Sequence, residues 1–283
     1  MNKLTTYLSF VRFSHTVFAL PFALTGALLA WRERPFSWAT VAWIVVCMVS
    51  ARTAAMGFNR IVDARYDALN PRTAMRELPR GAMSTAEAAA FVLISSIVFV
   101  YGAWRLSALC LALSPVALAV VFWYSLAKRY TAYTQLFLGL SMAVAPVGGW
   151  IAAGGRGGWE PWLLGFAIGL WVGGFDVLYA CQDFEFDRAQ GLRSIPTRFG
   201  IATSIRVSRI MHVATVVFMA ALWRAADLPA LYLAGVAVVA ALLAYEQSLV
   251  SDDDLSQVKK AFDLNGWVGI VYFLSTAASL YLA

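Results

Sequence analysis

The chain has 283 residues, of which 61% are hydrophobic and 13% charged, against the ~25% charged that is usual for a soluble globular protein. That balance excludes an intrinsically disordered chain, a soluble nucleic-acid-binding domain and a disulfide scaffold. A net charge of +6 first suggests an anionic partner, but in a membrane protein it also sets topology. The composition is that of an all-α, polytopic integral membrane protein, read as one domain over residues 1–283.

A spanning helix needs roughly 20 mostly apolar residues. Nine stretches qualify, near 13–30, 38–58, 86–104, 107–127, 132–152, 161–182, 207–223, 228–248 and 264–282. The first is too long for a signal peptide and is followed by eight more, so it reads as a retained helix. Ser84 with Glu87 forms a capping box that starts the third span. If the N-terminus is cytoplasmic, 17 of the 22 Lys and Arg residues fall on that side, as the positive-inside rule requires. Trp31, Trp38, Trp104, Trp150, Trp159, Trp162 and Trp223 then gather at the outer ends, as an aromatic belt would. The outer loops are short. The long charged segments 59–83, 183–203 and 246–263 lie inside, so any chemistry belongs on the cytoplasmic face.

The second span runs into NRIVDARYD, which spaces Asn59, Asp63 and Asp67 four residues apart. Four residues advance an α-helix by ~400°, so these side chains share one face. The sixth span runs into DVLYACQDFEFD, which spaces Asp176, Tyr179, Asp183 and Asp187 by three, four and four, again on one helical face. A lone Asp near a helix end is ordinarily a solvated residue or a cap. Here Asp63 and Asp183 are 120 residues apart, and so are Asp67 and Asp187. Two ladders four spans apart have the same membrane orientation, which describes two parallel pseudo-repeats. Each is followed by a Pro–basic element, Asn70-Pro71-Arg72 and Pro196-Thr197-Arg198.

Carboxylates at this spacing repel one another, so something positive must compensate them. Mg²⁺ takes oxygen ligands, keeps several waters and is usually held by one or two carboxylates plus substrate phosphates. Two such sites would hold a diphosphate, with Arg72, Arg76, Arg80, Lys128, Arg129, Arg193 and Arg198 in the same band to complete neutralisation. The apolar remainder suits a lipid tail. Residue types and spacing therefore point to a bilayer-embedded enzyme acting on a lipid diphosphate. A cation-coupled transporter is the first alternative, but its acids would sit near the midplane in broken helices. A CDP-alcohol phosphotransferase is the second, and its Asp-Gly-x-x-Ala-Arg element is missing.

These residues resemble the UbiA superfamily of membrane aromatic prenyltransferases. Its Asn-x-x-x-Asp-x-x-x-Asp motif stands as Asn59, Asp63 and Asp67, followed by Asn-Pro-Arg-Thr at Asn70 to Thr73. Its Asp-x-x-Tyr-x-x-x-Asp-x-x-x-Asp motif stands as Asp176, Tyr179, Asp183 and Asp187, and its Tyr…Lys-Arg element is matched by Tyr124, Lys128 and Arg129. The likeness runs the whole chain, including an RFSHTVFALPFAL opening. It is strongest to the bacterial 4-hydroxybenzoate-type branch, which serves ubiquinone or menaquinone synthesis. One departure is Arg76-Glu77-Leu78-Pro79, where many members read Arg-Pro-Leu-Pro.

The resemblance implies transfer of a polyprenyl group from its diphosphate to an aromatic ring carbon, in the inner membrane, with the site facing the cytoplasm. It implies an aromatic acid acceptor, a membrane-lipid environment, no nucleic acid, and Mg²⁺ on Asn59, Asp63, Asp67, Asp176, Asp183 and Asp187. Tyr124, Tyr179, Arg72, Lys128, Arg129 and Arg198 would bind substrate, and the segments 68–83 and 188–203 would form a lid. Arg52, seven residues before Asn59, lies nearly on the ladder's face. An Arg within a span costs ~2.5–3.5 kcal/mol on insertion scales, which makes it a candidate for binding a substrate anion. His15, His212 and Cys181 read as packing residues. Asp252 to Asp254 are consecutive, so on a helix they would diverge by ~100° and read as a solvated loop.

Overall fold

The computed structural model describes residues 3–10 and 19–282. His15, Arg12 and the first part of the 13–30 span lie outside these. The described residues form α1 (Lys3–Phe10), α2 (Leu20–Ala30), α3 (Trp38–Leu69), α4 (Thr85–Leu106), α5 (Ala108–Ala127), α6 (Thr134–Ala152) and α7 (Glu160–Ala180). A 3₁₀ turn (Cys181–Asp183) follows, then α8 (Phe184–Ala189), α9 (Ile195–Phe199), α10 (Ile201–Ala225), α11 (Leu231–Ser248) and α12 (Val258–Tyr281). No strand occurs among the described residues.

In lipid every backbone N–H and C=O must be satisfied within its own segment, which apolar runs of this length achieve as helices. Seven are long and apolar enough to cross a membrane: α3, α4, α5, α6, α7 with its extension to Ala189, α10 and α11. The protein is an integral membrane protein. Of the other two predicted spans, the described part of the first is the 11-residue α2. The last is α12, whose first turns carry Lys259, Lys260 and Asp263.

The chain divides into two compact units. The first takes its residues from Met1–Val17 and Trp38–Leu126. In it α3 packs along α4, and Phe10 of α1 is buried with Met83 and Ala88, its ring edge-on to Phe91. The predicted capping box is present: the Ser84 hydroxyl accepts from the Glu87 amide, and the Glu87 carboxylate accepts from the Ser84 amide at 2.8 Å.

The second unit takes its residues from Phe18–Ser37 and Ala127–Ala283. Here α7 is the central helix, packed by α6 and α10, with Leu164, Ile168, Trp171 and Val177 fully buried. Several fully buried polar groups pair internally. The Trp171 indole donates to Asn265 Oδ1 at 2.6 Å, and the Tyr232 and Tyr272 hydroxyls bond at 2.6 Å. His212 is buried between the Trp171 carbonyl and the Gln247 amide, and Cys181 donates to the Val177 carbonyl, so both are packing residues. Asp254 is exposed in a turn, and hydrogen bonds to Ser256 hold its carboxyl below the usual carboxylate range. The Asp252–Asp254 run is thus a solvated loop. The predicted Trp belt is corrected at one place. Trp38, Trp104, Trp159 and Trp162 are exposed, but Trp150 is buried, its indole lying against Gly155.

Helices α2 and α6 approach so closely that side chains are excluded between them. A Cβ on Gly26 would strike the Pro146 carbonyl, and one on Gly149 the Ala23 carbonyl, whereas one on the adjacent Gly148 would meet nothing within 4 Å. Gly149→Ala should therefore destabilise the protein by about 1–3 kcal/mol through forced backbone separation. Gly148→Ala should leave it unchanged or add up to about 1 kcal/mol from helix propensity. Thermal unfolding of the two variants in detergent reads this contrast, and equal effects would contradict the close approach.

Candidate active site

The first ladder is carried as its spacing requires. α3 is an unbroken helix of 32 residues, so Asn59, Asp63 and Asp67 lie along one face. Asp63 and Asp67 are 4% and 7% exposed, which makes their charges expensive unless compensated. The Asn59 amide donates to Asp63 Oδ2 at 3.2 Å. Arg76 Nη1 lies 2.8 Å from both oxygens of Asp67.

Arg76 reaches Asp67 because the chain turns back after α3. Asn70 accepts the Arg72 amide on its side chain, the Asn70 carbonyl accepts the amides of Thr73 and Ala74, and the Thr73 hydroxyl donates to the Asp67 carbonyl. This is what Asn-Pro-Arg-Thr does locally: an Asx turn and a proline stop the helix and fold the next residues under its end. The segment predicted as a lid, 68–83, consists of the last turn of α3 followed by hydrogen-bonded turns with Asn70, Thr73, Glu77 and Met83 buried. Glu77, the departure from Arg-Pro-Leu-Pro, accepts from the Ser9 hydroxyl of α1 at 2.5 Å, while its Oε2 has no hydrogen-bond partner among the described residues. Deeper on α3, Arg52 has a shielded Nε with no partner among the described residues, and it interacts electrostatically with Tyr124 of α5.

The second ladder is corrected. Its residues do not lie on one continuous α-helix, because α7 ends at Ala180 and Asp183 closes a 3₁₀ turn before α8 begins. Three residues at ~120° rather than ~100° rotate the later positions by about 60° from the expected register. Asp176 nevertheless interacts electrostatically with Asp183, Asp187 and the opposing charge of Lys128. The 188–203 segment, the other predicted lid, is tied to the α5–α6 connection. The Arg193 amide donates to the Lys128 carbonyl and its guanidinium to the Tyr130 carbonyl, both at 2.8 Å. Ser194 and Thr197 cap α9 reciprocally, leaving Arg198 exposed at its end. Tyr179 packs its ring 4.8 Å from Phe262.

Among the described residues no three His, Cys, Asp or Glu side chains form a closed metal cluster. An open site needs no such cluster, because Mg²⁺ is held by one or two carboxylates and completes its octahedron with water and phosphate. Hard oxygen donors, two of them buried, fit that ion. The sequence reading left the partner of one residue of this neighbourhood undetermined and gave another no site role. Arg76 was one cation of the band, and only the fold of the 70–83 turns puts it on Asp67. Arg60 is buried on α3 with its Nε donating to the Phe10 carbonyl, a contact across 50 residues.

A family model, described as the UbiA prenyltransferase family, matches residues 19–275. The chain belongs to the UbiA prenyltransferase family. A 4-hydroxybenzoate octaprenyltransferase of Vibrio campbellii is 29% identical over 83% of this chain and 82% of its own length. The apo structure of a UbiA homologue from Aeropyrum pernix K1 superposes with a TM-score of 0.87 at 36% identity, covering 94% of this chain and 98% of that one. A UbiA homologue from Archaeoglobus fulgidus, solved with GPP and Mg²⁺, shares the fold at a TM-score of 0.70 and 17% identity, covering 96% and 99%. In this UbiA member the bond from Ser9 to Glu77 has a testable sign. Ser9→Ala strands a buried carboxylate and should cost about 1–3 kcal/mol. Adding Glu77→Leu should recover most of that loss, because it removes the stranded charge. Thermal stability of the single and double variants measures the coupling, and additive losses would rule it out.

Proposed function

We propose that this UbiA-family enzyme transfers a polyprenyl group from a polyprenyl diphosphate to a ring carbon of a 4-hydroxybenzoate-like acid, as a single catalytic domain in quinone biosynthesis. The observation that carries the reading is the pair of Asp ladders, each with a cation beside it: Arg76 on Asp67 and Lys128 near Asp176. The names of the curated relatives support the acceptor, and the Archaeoglobus fulgidus homologue with GPP and Mg²⁺ supports the donor and the metal. Membership of this family also leaves the transporter and CDP-alcohol readings without support. We further propose nine spans, with the N-terminus and both ladders on the cytoplasmic side of the inner membrane, on the strength of the Lys and Arg distribution.

Asn59, Asp63 and Asp67, and in the second unit Asp176, Asp183 and Asp187, would hold Mg²⁺. The ion, when bound, supplies positive charge against the departing diphosphate. Arg72 in the first unit, and Lys128, Arg129 and Arg198 in the second, offer cations for diphosphate. Ionisation of the C–O bond leaves an allylic cation, which the electron-rich ring attacks through carbon, and the ring proton is then lost. Water must be excluded during that interval, and the apolar helices do so. Tyr179 and Tyr124 offer π-faces and phenol groups to substrate. Arg52, whose Nε has no hydrogen-bond partner among the described residues, binds the acceptor carboxylate.

Asp63→Asn and Asp183→Asn preserve shape but remove a negative ligand. Each should lower prenyl transfer on the order of 10³-fold with little change in thermal stability. A Mg²⁺ titration of turnover checks this, and near-normal rates at limiting Mg²⁺, or in EDTA, would defeat the metal reading. Arg52→Ala should raise the acceptor KM or lower kcat/KM while leaving prenyl-diphosphate binding intact. Product mass spectrometry with a panel of aromatic acids and prenyl diphosphates tests the substrate assignment, which fails if only uncharged aromatics are prenylated.

A further inference from the structure

The contact between Arg76 and Asp67 has a consequence for how the first ladder takes up its ligands. Both hydrogen bonds to the carboxylate come from one nitrogen, Nη1, at 2.8 Å. This is not the two-nitrogen fork that makes Arg–carboxylate pairs strongest. The Arg76 Nε is buried and has no hydrogen-bond partner among the described residues. A shielded, unused donor of this kind carries a desolvation cost that a further acceptor would relieve. Asp67 is 7% exposed, and both its oxygens are engaged by Arg76. A divalent cation at Asp67 therefore competes with the guanidinium for the carboxylate's oxygens, and once bound it repels it.

We propose that Arg76 is an exchange cation: it holds Asp67 until a divalent metal takes that carboxylate, and it then passes its guanidinium to the diphosphate. This deepens the metal-and-diphosphate reading above and rests on it. Charge accounting explains why the exchange is favourable only when both ligands are present. With Arg76 on Asp67 the pair is neutral. Metal alone would put two cations side by side at a buried carboxylate, which weakens its binding. A diphosphate supplies the anion that Arg76 lacks after displacement, including an acceptor for Nε. Metal and diphosphate thus each raise the other's affinity, and by linkage the factor is the same in both directions. Arg76 stands on the 70–83 turns, beside Glu77 with its anchor to Ser9, so the exchange needs only a side-chain movement from a fixed backbone.

The test uses the full-length protein in detergent, Mn²⁺ counted by electron paramagnetic resonance as the metal probe, and inorganic diphosphate as the anion. The variants are Arg76→Gln and Arg76→Lys. Without diphosphate, Arg76→Gln should bind Mn²⁺ about tenfold more tightly than the wild type, because Asp67 is released. The tightening of Mn²⁺ binding by diphosphate should shrink by about the same factor, leaving the part due to direct metal–phosphate contact. Arg76→Lys, which keeps the charge without the planar donors, should fall between the two on both measures and decides the matter if Arg76→Gln does not fold. A residue that merely braces the loop would weaken metal and anion binding together. Unchanged or weakened Mn²⁺ binding in the variants overturns the exchange, and so does an undiminished effect of diphosphate. A wild-type protein that binds neither Mn²⁺ nor diphosphate overturns the underlying metal-and-diphosphate reading, and the exchange falls with it.

Discussion

Buried carboxylates need compensation, and the architecture around the first ladder is organised by that need. Asp63 and Asp67 sit four residues apart on one helix face, almost wholly removed from solvent. Two negative charges at that spacing repel each other and resist desolvation. Asn59 gives Asp63 a donor, Arg76 gives Asp67 a cation, and the Thr73 hydroxyl ties the turn back to α3. The 70–83 turns are shaped by this task, and α1 closes over them through Ser9, Phe10 and the buried Glu77.

The second unit meets the same requirement by different means. Its ladder is interrupted by a 3₁₀ turn at Cys181–Asp183, and the residues after it turn back to bond with the Lys128–Tyr130 connection. The two ladders thus match in residue type and spacing more than in local backbone. Around α7, polar side chains pair among themselves and glycines let backbones touch. That is how helices associate where lipid offers no hydrophobic gain for burying another apolar residue.

Relatives at widely different identities share this fold. It is retained in a homologue at 17% identity and superposes more closely on one at 36%, both over nearly the whole chain. The fold therefore tolerates extensive change in sequence. Arg52 and Glu77 each put charged-group atoms in a shielded place, and neither belongs to an Asp ladder.

The sequence by itself determined the membrane class, the seven long apolar helices, the Ser84–Glu87 cap and the ladder positions, because each depends on local periodicity or on spacing within one helix. Asn59, Asp63 and Asp67 were legible for that reason. The Asp176–Asp187 ladder was legible as residues but not as geometry, since nothing in a 3-4-4 spacing announces that three residues will tighten into a 3₁₀ turn. Trp150 looked like a belt residue from its place near a helix end, and only packing shows it turned inward against Gly155. The partners of the buried charges were decided by tertiary structure alone. Arg76 meets Asp67 nine residues away through a set of turns, Ser9 meets Glu77 across 68 residues, and Arg60 meets the Phe10 carbonyl across 50. Such pairings are set by where the chain reverses, and a one-dimensional pattern of charge holds no record of that.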